Sequence, residues 1–110
     1  MERLVKSDVV VIPFPFTDLS SSRKRPALIM ATLQGDDLIL CQITSEKRKD
    51  NYSIPLNNKN FKKGKLNVPS VIRPNRLFTA DKSIINYKLG RLNKEKSFEV
   101  QKKIIEIFSC

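Results

Sequence analysis

The chain has no histidine among its 110 residues, and this absence narrows the chemistry it could perform. Ser-His-Asp catalysis, Cys-His catalysis and histidine-ligated metal sites are all excluded. Two cysteines, Cys41 and Cys110, are too few for a structural zinc site or a disulfide framework. Asp36 and Asp37 belong to a turn signal and do not form a glycosidase-like carboxylate pair. Any chemistry must therefore use Arg, Lys, Asp, Glu, Ser, Thr, Tyr or Cys.

Arg25 and Thr44 are the strongest candidates, because a predicted hairpin brings them to the same place. Arg25 directly precedes a proline, which biases its backbone toward an extended conformation. Residues 26–33 and 38–44 are two apolar segments separated by the turn signal Gln34-Gly35-Asp36-Asp37. The two ends of a hairpin that lie away from its turn are neighbours, so one anion could touch both Arg25 and Thr44. An ordinary surface arginine and a strand threonine without a task are the alternative interpretations.

Further elements must position these residues. The β-branched run at residues 9–12 predicts a buried strand that Pro13 ends. Residues 17–24, with three consecutive serines, predict an exposed loop. Other strands are predicted at 52–56, 66–72 and 87–92, with a basic loop at 57–65, a short apolar segment at 77–80 and one helical turn at 81–85.

The end of the chain has helical periodicity. Asn93 is a suitable N-cap for a helix of about fifteen residues. Val100, Ile104, Ile107 and Phe108 recur at helical spacing, and we expect this stripe to pack in the core, with Phe98 and Ile105 on its flank. Many short strands followed by one helix predict a single domain over residues 1–110, mainly β, built as a small, strongly bent sheet or barrel with the helix packed on it.

Basic residues are concentrated in the second half of the chain. The formal net charge is +10, with 21 Lys and Arg against 11 Asp and Glu. Residues 1–50 contain 8 basic and 7 acidic side chains, whereas residues 51–110 contain 13 and 4. This imbalance favours a polyanionic partner, either nucleic acid or an acidic protein, over a merely solvated surface. Without a signal peptide or a long apolar run, the chain is expected to be cytoplasmic and not to enter a membrane.

Several sequence segments together resemble the MazF/PemK family of toxins from type II toxin–antitoxin systems. They are SDVVVIPFPFTDL at residues 7–19, KRPALI at 24–29, QITS at 42–45, SVI at 70–72 and TADK at 79–82. With the terminal helix, the similarity extends over essentially the whole chain. Each segment alone would be a weak signal, and their combination at these spacings is fairly specific.

The resemblance implies an SH3-like small β-barrel of the MazF/PemK/CcdB-like kind, assembled as a homodimer. It also implies a metal-independent, sequence-specific endoribonuclease that cleaves single-stranded mRNA without a cofactor and is neutralised by an acidic antitoxin. By position, Arg25 and Thr44 would form the catalytic centre. The RNA 2′-OH would attack the adjacent phosphate to leave a 2′,3′-cyclic phosphate and a 5′-OH. RNA-binding residues would be Thr17, Asp18, Ser20, Ser21, Ser22, Arg23, Lys24, Ser45 and Arg76.

The sequence departs from the family pattern in two substrate-contacting segments. Many members have a Gly-rich loop with a glutamate before the arginine, whereas here the loop is serine-rich and Asp18 is its only acid. Some members have an acid and an arginine where this chain has Asn75 and Phe78, with Arg76 between them. Two other functions stay open from the sequence. They are a gyrase poison of the same fold and a non-catalytic nucleic-acid-binding barrel.

Overall fold

The computed structural model describes residues 3–14, 23–47 and 49–109. Within these ranges the chain forms strands connected by tight turns and two short 3₁₀ turns, followed by one α-helix. The elements are β1 (Asp8–Phe14), β2 (Arg23–Thr32), β3 (Asp37–Thr44), β4 (Ile54–Leu56), a 3₁₀ turn (Asn58–Asn60), β5 (Phe61–Gly64), β6 (Ser70–Asp81), a 3₁₀ turn (Lys82–Ile84), β7 (Tyr87–Leu92) and α1 (Lys94–Phe108).

The seven described strands form one antiparallel sheet in the order β4-β6-β3-β2-β1-β7-β5. The sheet curls into a half-barrel, and α1 packs against β6. The mainly β class with a C-terminal helix, expected from the sequence, is confirmed. β1 lies between β2 and β7, so it connects the N-terminal hairpin with the last strand.

Alternating residues of the central strands are buried on both faces of the sheet. One face carries a cluster that includes Val9, Leu28 and Cys41 and receives Val100 of α1. The other carries a second cluster that includes Val10 and Ile29. Burying a side chain of this size stabilises the fold by about 1.5–3 kcal/mol. Because both faces are covered, the central strands read as continuous apolar runs in the sequence.

β1 continues through Pro13, and the prediction that this proline ends the strand was wrong. Pro13 pairs with Lys24 of β2, whereas the pairing of β1 with β7 ends at Val11, opposite Tyr87. Among the described residues, the strand beyond Val11 therefore has a paired neighbour on one side only. A proline without an N–H is tolerated at such an edge position. Residues 23 and 24, predicted as loop, are accordingly the first residues of β2.

The second half of the sheet also differs from the prediction. Residues 66–69 lie outside the strands, and β6 runs from Ser70 to Asp81 as one long strand that includes Pro74. Its register against β3 shifts where Cys41 faces Leu77 and the next residue faces Arg73. The intervening residues form a bulge, which explains how a proline fits inside the strand. The basic segment 57–65, predicted as loop, contains a 3₁₀ turn and the edge strand β5.

The helix α1 has the predicted cap and length but buries less of its apolar surface than expected. The side chain of Asn93 accepts a hydrogen bond of 2.8 Å from the backbone N–H of Lys96, and the helix has 15 residues. Val100 is fully buried, whereas Phe98, Ile105 and Phe108 are 66%, 55% and 74% exposed. At 3.6 residues per turn, Phe98 and Ile105 point away from the side on which Val100 packs. The core prediction was therefore wrong for Phe108, which lies on the exposed last turn, and the placement of Phe98 and Ile105 on the flank of the buried stripe was wrong as well.

A buried carboxylate fixes the start of β1. Asp8 is 0% exposed, and its Oδ1 accepts a hydrogen bond of 2.9 Å from Arg91 Nε and lies 3.3 Å from Lys88 Nζ. Its Oδ2 accepts a hydrogen bond of 2.8 Å from the backbone N–H of Val5. Because a buried charge is costly unless it is paired and hydrogen-bonded, these contacts explain how Asp8 is tolerated in the core.

Candidate functional site

Arg25 and Thr44 lie at the same end of the β2–β3 hairpin, as the sequence predicts. The pairing of β2 with β3 ends with Ala27 opposite Gln42, and Arg25 and Thr44 each lie two residues beyond this pair, at the end of the hairpin away from its turn. On its other side Arg25 is paired with Ile12 of β1. The backbone of Arg25 is thus held in the sheet by its pairing with β1.

The two side chains line one cavity of about 240 Å³, which we call the hairpin cavity. Its lining combines apolar side chains with basic and hydroxyl groups. The lining residues are Val11, Lys24, Arg25, Pro26, Ile43, Thr44, Ser45, Leu66, Asn67, Val68, Ser70, Tyr87 and Leu89.

The hydroxyl of Thr44 is fixed by the local backbone. Thr44 is 4% exposed, and its Oγ1 accepts a hydrogen bond of 3.1 Å from the backbone N–H of Glu46. That bond uses the oxygen as an acceptor and orients the side chain. The O–H hydrogen can therefore be donated to an oxygen of a ligand in the cavity.

The electrostatics of the hairpin cavity favour an anion. Lys24 and Arg25 contribute two positive charges, and no Asp or Glu is among the described residues that line it. A guanidinium can bind two oxygens of a phosphate at once, with a geometry that lysine lacks. Apolar residues in the lining lower the local dielectric constant, which strengthens the attraction between these cations and a bound phosphate.

Tyr87 adds an exposed aromatic ring to this cavity. It pairs with Val11 of β1, which pairs in turn with Pro26 of β2, so the three residues form a row across the sheet. Tyr87 is 52% exposed. A ring at the mouth of a phosphate-binding cavity is suited to stack on a nucleobase.

The remaining predicted site residues are distributed unevenly. Lys24 and Ser45 line the hairpin cavity with Arg25 and Thr44. Arg23 and Arg76 are exposed on β2 and β6 and do not line it. The predicted residues Thr17, Asp18, Ser20, Ser21 and Ser22 lie outside the described residues.

Sequence reasoning missed the part of the cavity wall that comes from distant segments. Asn67, Val68 and Ser70 precede or begin β6, and Tyr87 begins β7. The Ser70 hydroxyl donates a hydrogen bond of 3.1 Å to the carbonyl oxygen of Val68 and is thereby fixed in place. No local signal marks these residues, because their place in the site depends on strand pairing over long sequence separations.

Two groups with shifted pKa values, Cys41 and Asp50, are parts of the fold and not of the site. Burial raises the pKa of the Cys41 thiol to about 12, so Cys41 stays protonated and unreactive at neutral pH. The backbone N–H groups of Ser53 and Tyr52 hold the pKa of Asp50 below its usual value, and this carboxylate is exposed on a turn. Neither group lines the hairpin cavity.

Residues 3–14, 23–47 and 49–109 contain neither a metal-binding cluster nor a membrane-spanning helix. No group of three or more His, Cys, Asp or Glu side chains lies close enough together there to hold a metal ion. In the same residues, no helix is both long and apolar enough to span a bilayer.

The family of the chain follows from the match of its sequence to a known protein family. Residues 6–108 match the family described as PemK-like, MazF-like toxins of type II toxin–antitoxin systems. The chain belongs to this family. The predicted resemblance is thereby confirmed over nearly the whole sequence. A search of curated protein sequences gave no significant match.

Solved structures of MazF-like toxins share the fold at low sequence identity. A mycobacterial endoribonuclease, solved in complex with its cognate antitoxin, superposes with a TM-score of 0.77 at 10% identity and covers 97% of this chain and 96% of its own. The MazE–MazF complex from Deinococcus radiodurans gives 0.77 at 17% identity, covering 96% of each chain. The toxin MazF-mt6 from Mycobacterium tuberculosis gives 0.73 at 18% identity, covering 93% of this chain and 96% of its own.

Proposed function

We propose that this toxin is a metal-independent, sequence-specific endoribonuclease that cleaves single-stranded mRNA in the hairpin cavity. The observation that carries this proposal is that Arg25 and Thr44 line one cavity together with Lys24 and with no described acidic residue. The name of the mycobacterial neighbour, an endoribonuclease, supports the same activity.

RNA supplies the nucleophile, so the protein has to position the substrate and stabilise charge. The 2′-oxygen forms a bond to the adjacent phosphorus, and the bond from phosphorus to the 5′-oxygen breaks. The proton lost by the 2′-OH balances the proton gained by the 5′-oxygen, so no co-reactant is consumed. The products are a 2′,3′-cyclic phosphate and a 5′-OH.

Each proposed catalytic residue has a role that follows from its chemistry. The guanidinium of Arg25 binds the scissile phosphate and stabilises the charge that builds on its oxygens in the transition state. The hydroxyl of Thr44 donates a hydrogen bond to the same phosphate. Lys24 and Ser45 bind neighbouring parts of the strand, and Tyr87 stacks on a base. Because Arg25 already supplies positive charge, the step needs no metal ion.

The decisive experiment incubates the purified toxin with a long single-stranded RNA in EDTA and maps the ends of the fragments. We expect cleavage at a defined sequence, with cyclic-phosphate and 5′-OH ends. A substrate with one 2′-deoxy residue at the mapped site should resist. If it is cut as fast as all-ribose RNA, the cyclic-phosphate mechanism is wrong. RNA binding without cleavage would favour a non-catalytic barrel instead.

We also propose that a small acidic antitoxin inhibits this toxin by covering the hairpin cavity. Two of the similar solved structures are complexes with antitoxins, which supports a partner of this class. An acidic, partly disordered tail could fold on the basic surface of residues 51–110 and cover Arg25. In a titration, the antitoxin should displace labelled, non-cleavable RNA. Simultaneous binding of both at full occupancy would contradict occlusion.

A homodimer is the assembly that we propose for this toxin. Ile105 and Phe108, both largely exposed near the end of α1, offer apolar surface for a protein contact. An apolar contact should be less sensitive to salt than RNA or antitoxin binding. Sedimentation at rising salt should therefore show a dimer under conditions where RNA dissociates. A monomer at low salt would contradict this assembly.

A further inference from the structure

A second cavity, separate from the hairpin cavity, lies where the first turn of α1 meets the N-terminal segment and the end of β7. Its volume is about 460 Å³, and we call it the basic groove. Four of its lining residues are basic, and no Asp or Glu is among the described residues that line it. The basic residues are Lys6, Lys62, Arg91 and Lys94.

Among the residues that the structure describes, three of these four basic side chains have no acidic partner. Arg91 is ion-paired with the buried Asp8. Lys6 donates a hydrogen bond to the side-chain amide oxygen of Gln101, which carries no charge. Within the described residues, Lys6, Lys62 and Lys94 make no ion pair, and all three are exposed. The groove therefore holds an excess of positive charge.

The position of Lys94 increases this excess. It is the first residue of α1, where the helix dipole places partial positive charge. Acidic side chains are favoured at this end of a helix, and a lysine there is unfavourable for the fold. A lysine at the positive end of the helix dipole does not stabilise the fold, and its presence there is consistent with binding of an anionic ligand.

The basic groove and the hairpin cavity have the same three kinds of group. In the groove, lysines line the same cavity as Phe98, which is 66% exposed, and the hydroxyl of Ser97, which is hydrogen-bonded to that of Ser7. In the cavity, Lys24 and Arg25 accompany Tyr87 and the hydroxyl of Thr44. A polymer that repeats phosphate, sugar and base would find the same contacts at both places. An acidic protein would not require an exposed ring and a cation at each of them.

One strand connects the two cavities. β7 begins at Tyr87, which lines the hairpin cavity, and ends at Leu92, which lines the basic groove. At about 3.3 Å per residue, the two positions are separated by roughly 17 Å of extended strand. A single RNA strand of several nucleotides can cover this separation.

We propose that the basic groove is a second RNA-binding site, which holds the substrate several nucleotides away from the bond that is cut. This inference rests on the proposed function, because it takes single-stranded RNA as the substrate. It goes further by predicting that affinity and cleavage depend on substrate length.

The first test compares Lys94→Glu with a matched control, Lys102→Glu. Both lysines are exposed on α1, but Lys102 does not line the groove. Lys94→Glu also places an acid where the helix dipole favours one, so the variant should not fail by unfolding. The probes are non-cleavable single-stranded RNAs of about 4 and about 16 nucleotides.

For the long RNA we expect Lys94→Glu to raise the Kd about fivefold and to lower the slope of log Kd against log salt by about 0.7. Lys102→Glu should behave as the wild type. With cleavable RNAs, the ratio of kcat/KM for the long over the short substrate should fall about fivefold in Lys94→Glu. Equal values for both variants would overturn the proposal.

The second test uses Phe98→Ala to separate base stacking from charge. This variant should weaken binding of the long RNA about fivefold, because a stacking platform is lost. It should not weaken binding of inorganic polyphosphate, which has no bases, whereas Lys94→Glu should weaken both. If Phe98→Ala binds the long RNA as tightly as the wild type, the groove recognises charge alone and its RNA assignment is wrong.

These tests also separate the groove from the proposed activity. If no RNA is cleaved by any of the proteins, the proposed function fails, and the binding of the non-cleavable RNAs still decides whether the groove binds RNA. If long RNA binds all variants equally well, the groove proposal is overturned, and the charge of this groove would be available to an acidic protein.

Discussion

The two ends of β1 hold basic side chains in different ways. At its start, the buried carboxylate of Asp8 contacts both Arg91 and Lys88, which share this one acidic partner within the fold. Toward its other end, Ile12 pairs with Arg25, which lines the hairpin cavity with Lys24 and with no described acidic residue. In the first arrangement, the basic side chains have an acidic partner inside the fold. The second leaves positive charge beside an open cavity.

This difference suggests how structural and functional cations can be told apart in a basic protein. A cation that neutralises a buried acid contributes to stability, and its loss should affect folding first. A cation in a cavity without an acid contributes little to the fold and is available to an anionic ligand. The chain has 21 basic residues, so composition alone cannot make this distinction.

The largest expected effect is on cleavage, from Arg25→Ala. We expect RNA cleavage to fall by about 100- to 1000-fold, because a charge-stabilising donor is lost from the transition state. Arg25→Lys should recover only part of the rate, since lysine cannot form two parallel hydrogen bonds to a phosphate. Single-turnover kinetics and circular dichroism would measure activity and folding. Arg3→Ala, an exposed arginine outside the cavity, is the control. Full activity of Arg25→Ala would remove its catalytic assignment.

At the start of β1, the substitution Asp8→Ala should lower the stability of the fold. Asp8→Ala leaves two partly buried cations without their acid, and we expect the free energy of unfolding to fall by about 3 kcal/mol. Asp37→Ala, at the exposed start of β3, should change it by less than about 0.5 kcal/mol. Urea denaturation would measure both. A loss below about 1 kcal/mol in Asp8→Ala would show that the buried carboxylate is not a stabilising centre.

A smaller loss of cleavage is expected from Thr44→Ala. The hydroxyl is a neutral donor, whose hydrogen bonds contribute about 0.5–1.5 kcal/mol, so the rate should fall by about tenfold or less. Thr44→Ser keeps the hydroxyl and should keep most of the activity. The rate constants under single-turnover conditions would test this. If serine does not restore cleavage, Thr44 acts through packing of its methyl group and not through its hydroxyl.

The smallest effect concerns Cys41, which shares β3 with Thr44 but is buried in the core. Its pKa is raised to about 12 by burial, so its thiol should not react with iodoacetamide at pH 8 in the folded protein. Cys110→Ser leaves Cys41 as the only thiol for this measurement. Rapid alkylation in urea would be the positive control. Rapid alkylation of the folded protein would show that β3 opens near the site.

The sequence predicted the parts of the site that depend on interactions between residues close together in the chain. Arg25 and Thr44 belong to one hairpin, and the turn around Gly35 was sufficient to place them at the same end. The cap at Asn93 and the length of α1 were also predicted, because capping and helical periodicity are local properties. The family resemblance, confirmed over residues 6–108, depends on motifs that can be read directly.

Only the tertiary structure decided which other residues complete the two cavities. Tyr87 and Asn67 join the hairpin cavity, and Phe98 joins the basic groove, through contacts between segments far apart in sequence. The periodicity of apolar residues indicates whether a side chain faces inward or outward, but it does not indicate which strands are neighbours. The sequence therefore determined the β2–β3 hairpin, the terminal helix, the charge and the catalytic candidates. The pairing of β1 with β7 and the packing of α1 decided where the basic residues meet exposed rings, because register and packing depend on the whole sheet.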